Sequence, residues 1–262
     1  QPLRNALVAQ LRKAGNIQTA GVARAFLRVR RHAFVPEHPL HLVYADRVLI
    51  TKTRSGVATS SSSQPAIMAI MLEQLRVRRG MSVLEIGAGT GYNAALLAEL
   101  VGPNGSVVSI DIQADVAAQA RRTLKREGYA NVRVVRGDGA RGLRSAAPFD
   151  RIIATAGCWQ IAREWMRQLD DGGVLVLPLR LNLAHVGVAF RKQGEDLVSF
   201  SASPCGFMPL QGGTGRRRGR RLGSAQSPMY LSSDYRGPRL HAAGLAALLR
   251  TPPRRVLIDG LR

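Results

Sequence analysis

Acidic residues are scarce in this chain: 17 Asp and Glu stand against 38 Lys and Arg in 262 residues, a net charge of +21. Aromatics make up only 5% of the sequence, so side chains on which exposed bases could stack are few. A nucleic-acid reader or RNA methyltransferase therefore remains only a distant alternative, resting on the cluster Arg216-Arg217-Arg218-Gly219-Arg220-Arg221. The two cysteines, Cys158 and Cys205, are too few and too far apart for a disulfide framework or a thiolate metal site. They suit buried structural positions in a reducing, cytoplasmic compartment. No apolar run is long enough for a transmembrane helix, and the opening Gln1-Pro2-Leu3-Arg4 lacks the layout of a secretory signal. The absent initiator methionine, and a chain that stops soon after Val256-Leu257-Ile258, leave room for processing or truncation.

The positive charge is unevenly spread. Residues 1–80 carry thirteen Lys and Arg against three acids, 81–178 eleven against ten, and 179–262 fourteen against four. A near-neutral centre with basic flanks suggests an acidic partner, although an arginine-rich composition with solvated surface charge fits the same numbers. The division gives an N-terminal helical and substrate-loop region (1–80), a central domain (81–210) and a basic linker with a C-terminal extension (211–262).

Helical spacing of Leu3, Ala6, Leu7 and Leu11 predicts a helix over 2–14, with a second over 17–30 after the Gly15-Asn16 break. Residues 31–63 read as loop-rich, and Pro65 opens a helix to about Leu75. From Met81 onward, apolar strands alternate with helices: strands at 81–86, 106–111, 131–135, 149–155 and 173–177, helices at 91–100, 113–127 and 161–168. This alternation indicates βαβ units and an α/β fold, doubly wound on a mainly parallel sheet. Residues 186–191 and 197–202, joined by Gln193-Gly194-Glu195-Asp196, read as an antiparallel hairpin that finishes the sheet. The Gly/Arg/Ser-rich stretch 211–239 reads as a loop or linker, 240–250 as a short helix and 256–258 as a strand start.

The strongest motif is Val83-Leu84-Glu85-Ile86-Gly87-Ala88-Gly89-Thr90-Gly91-Tyr92. It closes a strand and opens a helix, the place where a doubly wound sheet holds a nucleotide-like ligand, and Gly87, Gly89 and Gly91 let the backbone approach that ligand. The third glycine comes one residue early for a dinucleotide fingerprint. Glu85 would sit poorly beside a pyrophosphate but well near a cationic cofactor. The motif resembles the first signature of the Rossmann-like class I methyltransferases, which implies S-adenosylmethionine, with S-adenosylhomocysteine as product. Asp111, closing the second strand, could accept hydrogen bonds from both ribose hydroxyls, or could cap the next helix. Asp138, before Gly139, could accept from the adenine amino group, or could serve a turn.

The fourth strand ends Asp150-Arg151-Ile152-Ile153-Ala154-Thr155-Ala156-Gly157, without the Asn/Asp-Pro-Pro-Tyr of amino-directed methyltransferases. Pro204-Cys205 imitates the cytosine C5 nucleophile but falls after the hairpin. From about Arg31 to Leu210 the chain resembles the protein-L-isoaspartate O-methyltransferase family. The resemblance runs through Arg31-His32-Ala33-Phe34-Val35-Pro36-Glu37, Tyr44-Ala45-Asp46, Ser61-Ser62-Ser63-Gln64-Pro65, the glycine motif, Gly137-Asp138-Gly139, Ala147-Pro148-Phe149-Asp150, residues 172–178 and Phe207-Met208-Pro209-Leu210. It implies that Ser63 lies beside the methyl-accepting carboxylate, with Ser61 at the family's threonine. Ser62 in place of isoleucine departs from the pattern and is expected to make the loop more polar. A carboxylate is already ionised near neutral pH, so the reaction asks for alignment rather than a base, and His32 is expected to make a structural hydrogen bond.

The resemblance implies esterification of an aspartyl or isoaspartyl side chain, followed by collapse of the ester to a succinimide (aspartimide). The basic flanks, the altered loop and the C-terminal extension favour a ribosomally made, cyclised acidic peptide as substrate. General repair of isoaspartyl-containing proteins is the alternative.

Overall fold

The structure, a computed structural model, describes residues 1–181, 184–212, 219–222 and 229–232. Helices α1 (Pro2–Lys13) and α2 (Ala20–Arg28) lie where the apolar spacing places them. Thr19 caps α2 by accepting the Val22 N–H at 3.3 Å, and Glu73 accepts the N–H groups of Gln18 and Thr19 at 2.9 and 2.8 Å. A 3-10 turn (Arg31–Phe34), the short α3 (Leu40–Val43), strands β1 (Leu49–Arg54) and β2 (Val57–Ser62), and α4 (Pro65–Leu75) follow. The stretch expected to be loop-rich thus contains an antiparallel hairpin, β1 on β2. Its strand formers Thr51, Thr53, Val57 and Thr59 flank the turn residues Ser55-Gly56, both at positive φ.

The central unit is β3 (Ser82–Ile86), α5 (Tyr92–Val101), β4 (Ser106–Asp111), α6 (Ala114–Arg126), β5 (Val132–Arg136), β6 (Phe149–Ala154), α7 (Arg163–Gln168) and β7 (Leu169–Leu181), closed by β8 (Ala184–Gln193) and β9 (Asp196–Cys205). These strands form one seven-stranded sheet in the order β5-β4-β3-β6-β7-β8-β9. The first five are parallel, while β8 and β9 run antiparallel, as the terminal hairpin pattern predicts.

Period-two alternation divides the core between the two sheet faces. Val83, Val107, Ile153 and Val174 pack with α1, α2, α4, α5 and α6 on one side; Leu84, Val108, Ile152 and Leu175 pack with Trp165 of α7 on the other. Each fully buried Val, Leu or Ile contributes roughly 1.5–3 kcal/mol relative to exposure.

Neighbours of β3 branch to opposite sides: β4 pairs with one edge and β6 with the other. Loops leaving β3 and β6 therefore part at their carboxyl ends and open the crevice that such folds use for ligands. In the stretch expected to be a linker, residues 219–222 and 229–232 pair as two short antiparallel strands. Arg216–Arg218, the helix expected at 240–250 and the strand start at 256–258 lie outside the described residues.

Candidate active site

The crevice is walled first by the loop after β3. Gly87 has φ 101°, a conformation that favours glycine, and a Cβ there would stand 2.8 Å from Thr155 Oγ1. The Gly89 N–H donates to Asp111 Oδ2 at 3.0 Å, and Asp111 Oδ1 accepts the Gln113 N–H at 3.0 Å. The Asp111 carboxylate thus ties the glycine loop to the start of α6 while facing the crevice. Burial raises its pKa, against the lowering effect of these N–H donors.

The opposite wall is the hairpin and the segment running into α4. The hairpin is fastened across the crevice by Lys52 Nζ, which donates to Gln113 Oε1 at 2.8 Å and pairs with Asp115, and by Gln113 Nε2, which donates to Thr59 O at 2.8 Å. Ser61 O would lie 3.5 Å from a Cβ on Gly89, so the serine run faces the glycine loop directly.

Beneath the serines lies Arg31, fully buried. Its guanidinium donates to the carbonyls of Val43 at 2.9 Å, Ala45 at 3.4 Å, Arg47 at 3.3 Å and Ser63 at 2.9 Å, and to Ser62 Oγ at 3.3 Å. Its Cζ also lies 5.7 Å from the ring centroid of Tyr92, the first residue of α5. Burial depresses its pKa, opposed in part by the nearby Tyr92, Asp46 and Tyr44. Asp46 holds the other side of Ser63, accepting from Gln64 Nε2 at 3.0 Å and from the Ala66 N–H at 2.8 Å. The serine expected to make this loop more polar instead turns its hydroxyl inward: Ser62 is 3% exposed and engaged by Arg31. His32 makes the structural hydrogen bond expected of it, Nδ1 to Tyr44 Oη at 2.8 Å.

The third wall is the segment after β9. Met208 O accepts the Gly157 N–H at 2.7 Å, the Leu210 N–H donates to Gly157 O at 2.8 Å, and the Phe207 N–H donates to His185 Nδ1 at 3.1 Å. Phe207–Leu210 is thereby drawn over the end of β6. Together the walls enclose a cavity of about 620 Å³, lined by the glycine loop, Asp111–Gln113, Ser60–Gln64, Thr155-Ala156 and residues 204–211. Among the described residues lining it, Asp111 is the sole acid and there is no His, Lys or Arg.

The model of the protein-L-isoaspartate(D-aspartate) O-methyltransferase family matches residues 3–215. The chain belongs to this family. Among its relatives, the protein-L-isoaspartate O-methyltransferase of Ignicoccus hospitalis is 40% identical over 205 residues, 78% of this chain and 95% of that protein. That of Hyperthermus butylicus is 40% identical over 223 residues, 82% of this chain and 90% of its own. A solved protein-L-isoaspartate O-methyltransferase superposes with a TM-score of 0.75 at 35% identity, covering 81% of this chain and 67% of that one. A Plasmodium falciparum structure, described as a putative member in complex with S-adenosyl-L-homocysteine, shares the fold at TM-score 0.67 and 18% identity.

Family membership makes the chain an S-adenosylmethionine-dependent O-methyltransferase, and its crevice fits that cofactor. The cavity runs along Gly87, Gly89 and Gly139; at Gly139 a Cβ would collide with Ile86 at 2.4 Å. Gly87, Gly89, Asp111, Gly139, Ser61 and Ser63 all line it. Three other expected residues do not. Gly91, at φ 88°, caps α5, where a Cβ would meet Leu124 at 3.1 Å, so it serves helix packing. The Asp138 carboxylate accepts the Ala140 N–H at 3.0 Å in its own turn and is covered by Gly212. Glu85 is fully buried below the loop, where Asn93 Nδ2 donates to Oε1 at 2.7 Å and Ser109 Oγ donates to Oε2. Its carboxylate braces α5 and β4 and is not among the residues lining the cavity. Cys205 also borders the cavity, but burial pushes its thiol up to about 12, so it is no thiolate nucleophile.

Burial raises the Glu85 carboxyl from 4.5 to about 7, despite the opposing hydrogen bonds from Ser109 and Asn93. A raised folded-state pKa contributes stability that is complete below the unfolded value of 4.5 and lost as pH rises through about 7. Glu85→Gln keeps the shape, accepts from Asn93 through its amide oxygen and donates to Ser109 Oγ through its amide nitrogen, but carries no such dependence. Relative to the parent, the variant should gain on the order of 3 kcal/mol across that window. Denaturant titrations at several pH values check this, and a difference independent of pH would remove the assignment.

Proposed function

We propose that this methyltransferase esterifies the side-chain carboxylate of an isoaspartyl residue in a polypeptide, with Ser63 and Ser61 orienting the acceptor. The observation that carries the reading is the cavity that joins the glycine loop and Asp111 to the serine segment, with no base among the described residues lining it. S-adenosylmethionine, when bound, supplies an electrophilic methyl group and leaves as S-adenosylhomocysteine. Gly87, Gly89 and Gly139 would let it approach the backbone closely, and Asp111 would accept from its ribose hydroxyls.

The acceptor carboxylate arrives ionised, so the residues around it need only orient and partly desolvate it. Ser61 and Ser63 line the cavity, and their hydroxyls make no hydrogen bond to another described residue. A lysine or arginine there would stabilise the ground-state carboxylate and dull its nucleophilicity. Hydroxyl donors position it at lower cost; the following backbone nitrogen then attacks the ester carbonyl, loses its proton and expels methanol, closing the succinimide.

A second reading, methylation of a ribosomally made, cyclised peptide, is favoured by residues 216–262, which extend past the family match at residue 215. The altered serine loop no longer supports it, because Ser62 points into the protein. Mass spectrometry of two peptides offered with S-adenosylmethionine separates the readings: a generic isoaspartyl peptide and a constrained acidic peptide encoded beside the gene. A mass gain of one methylene on the generic peptide, followed by net loss of water on succinimide closure, is expected. Modification of the constrained peptide alone would favour the second reading, and modification of neither would sink both. Ser63→Ala should lower turnover of the isoaspartyl peptide about tenfold or more, the worth of a hydrogen bond to a charged group, with cofactor affinity unchanged.

A further inference from the structure

Arginines gather at the end of the sheet opposite the crevice. The segment 76–79 precedes β3, Arg151 is in register with Val83 and Val174, and Val174 is in register with Arg191. All therefore lie near the amino ends of the parallel strands. Arg76 and Arg191 flank the Phe200 ring at 4.4 and 5.8 Å, and the Arg151 guanidinium donates to Arg76 O at 3.3 Å. Beside this ridge is a second cavity of about 200 Å³, walled by Arg24 and Arg28 of α2 and by Arg78 and Arg79.

Among the described residues lining it the one carboxylate, Glu99, is already paired with Arg28 at 3.3 Å. Asp150, next to Arg151, accepts the Ser82 N–H at 2.8 Å. Arg24, Arg78 and Arg79 are exposed and form no ion pair with a described residue. Such a concentration of unpaired guanidinium groups around a concavity repels itself unless an anion enters, and guanidinium forks match carboxylates in pairs.

We infer that this arginine-lined cavity and the adjoining ridge bind an acidic segment of the polypeptide substrate, away from the residue being methylated. The inference rests on the proposed isoaspartyl methylation for the identity of the substrate. An acidic polypeptide fits better than a nucleic acid because Phe200, the aromatic ring on this ridge, is already covered by two guanidinium groups and offers no open platform for a base. The geometry also sets a spacing. A strand of this sheet spans roughly 20 Å, and the chain must round a loop at each end. The acidic segment and the isoaspartate must then be separated by at least about ten extended residues.

The test uses the full chain and a labelled hexaglutamate peptide without isoaspartate, followed by fluorescence anisotropy. The variant is Arg24→Ser/Arg78→Ser/Arg79→Ser, whose folding is checked by thermal melting. Three lost contacts should weaken binding about tenfold. In methylation assays, a hexaglutamate run placed ten or more residues from the isoaspartate should lower KM for the parent enzyme but not for the triple variant. The same run placed three residues away should have no effect. Equal peptide binding by parent and variant would overturn the inference, as would tighter, arginine-dependent binding of single-stranded RNA of equal charge. A short neutral isoaspartyl peptide reports the basal reaction separately. If it is not methylated the proposed function fails, while anisotropy still decides whether this face binds acidic peptides.

Discussion

Asp111→Ala should weaken S-adenosylmethionine binding on the order of a hundredfold or more, the worth of two hydrogen bonds to a charged acceptor. The carboxylate already accepts the N–H groups of Gly89 and Gln113, so the turn and the cavity wall depend on the same side chain. These two roles predict different losses. A residue that only held the turn would cost about 1 kcal/mol of stability on removal, with little effect on cofactor affinity. A residue that also receives the ribose hydroxyls costs that stability and most of the affinity. Calorimetric titration of the cofactor beside a thermal melt separates them: near-parental affinity with a lowered Tm would reduce Asp111 to a turn residue. Since burial raises its pKa above the ordinary 3.8, cofactor affinity should also decline on acidification at a higher pH than for an exposed aspartate, because the neutral acid is the poorer acceptor.

The features legible in the sequence share a period. The parallel strands announce themselves as apolar runs between amphipathic helices, and the glycine motif falls at the strand end where the topology opens. What escaped reading depends on where a side chain points. Glu85 lies in the cofactor motif, yet it is two residues beyond Val83 and shares that residue's sheet face, below α5 rather than towards the crevice. Strand alternation carried that signal. Gly91 likewise belongs to the motif but answers to Leu124 on α6, a contact between helices that no local pattern encodes.

The hairpin over residues 49–62 was obscured by its polar strands, although alternating Thr and Val around Ser55-Gly56 is a hairpin pattern. Asp46 and Arg31 stand in segments that resemble the family, but their work is long-range. Nothing local distinguishes a buried arginine from the many exposed ones in so basic a chain.

Arg31→Ala should be the most damaging single change outside the cofactor site. It strands the carbonyls of Val43, Ala45, Arg47 and Ser63 in the interior and removes the cation lying over Tyr92. Several buried acceptors losing a charged donor amount to about 3–5 kcal/mol, a fall in Tm of roughly 10 °C or more for a domain of this size. The functional loss should be selective. Arg31 holds the Ser63 backbone from below while Asp46 holds Gln64 and Ala66 beyond it, so the acceptor wall loosens before the glycine loop does. Arg31→Lys tests this without removing the charge, since an ammonium cannot reproduce the planar fork that reaches carbonyls on separate segments. The lysine variant should fold, bind S-adenosylmethionine nearly as well as the parent, and show kcat/KM for the isoaspartyl peptide reduced about tenfold, the loss of one good hydrogen bond's worth of alignment. Equal losses in cofactor and peptide affinity would show that Arg31 supports the fold as a whole, with no particular hold on the acceptor serines.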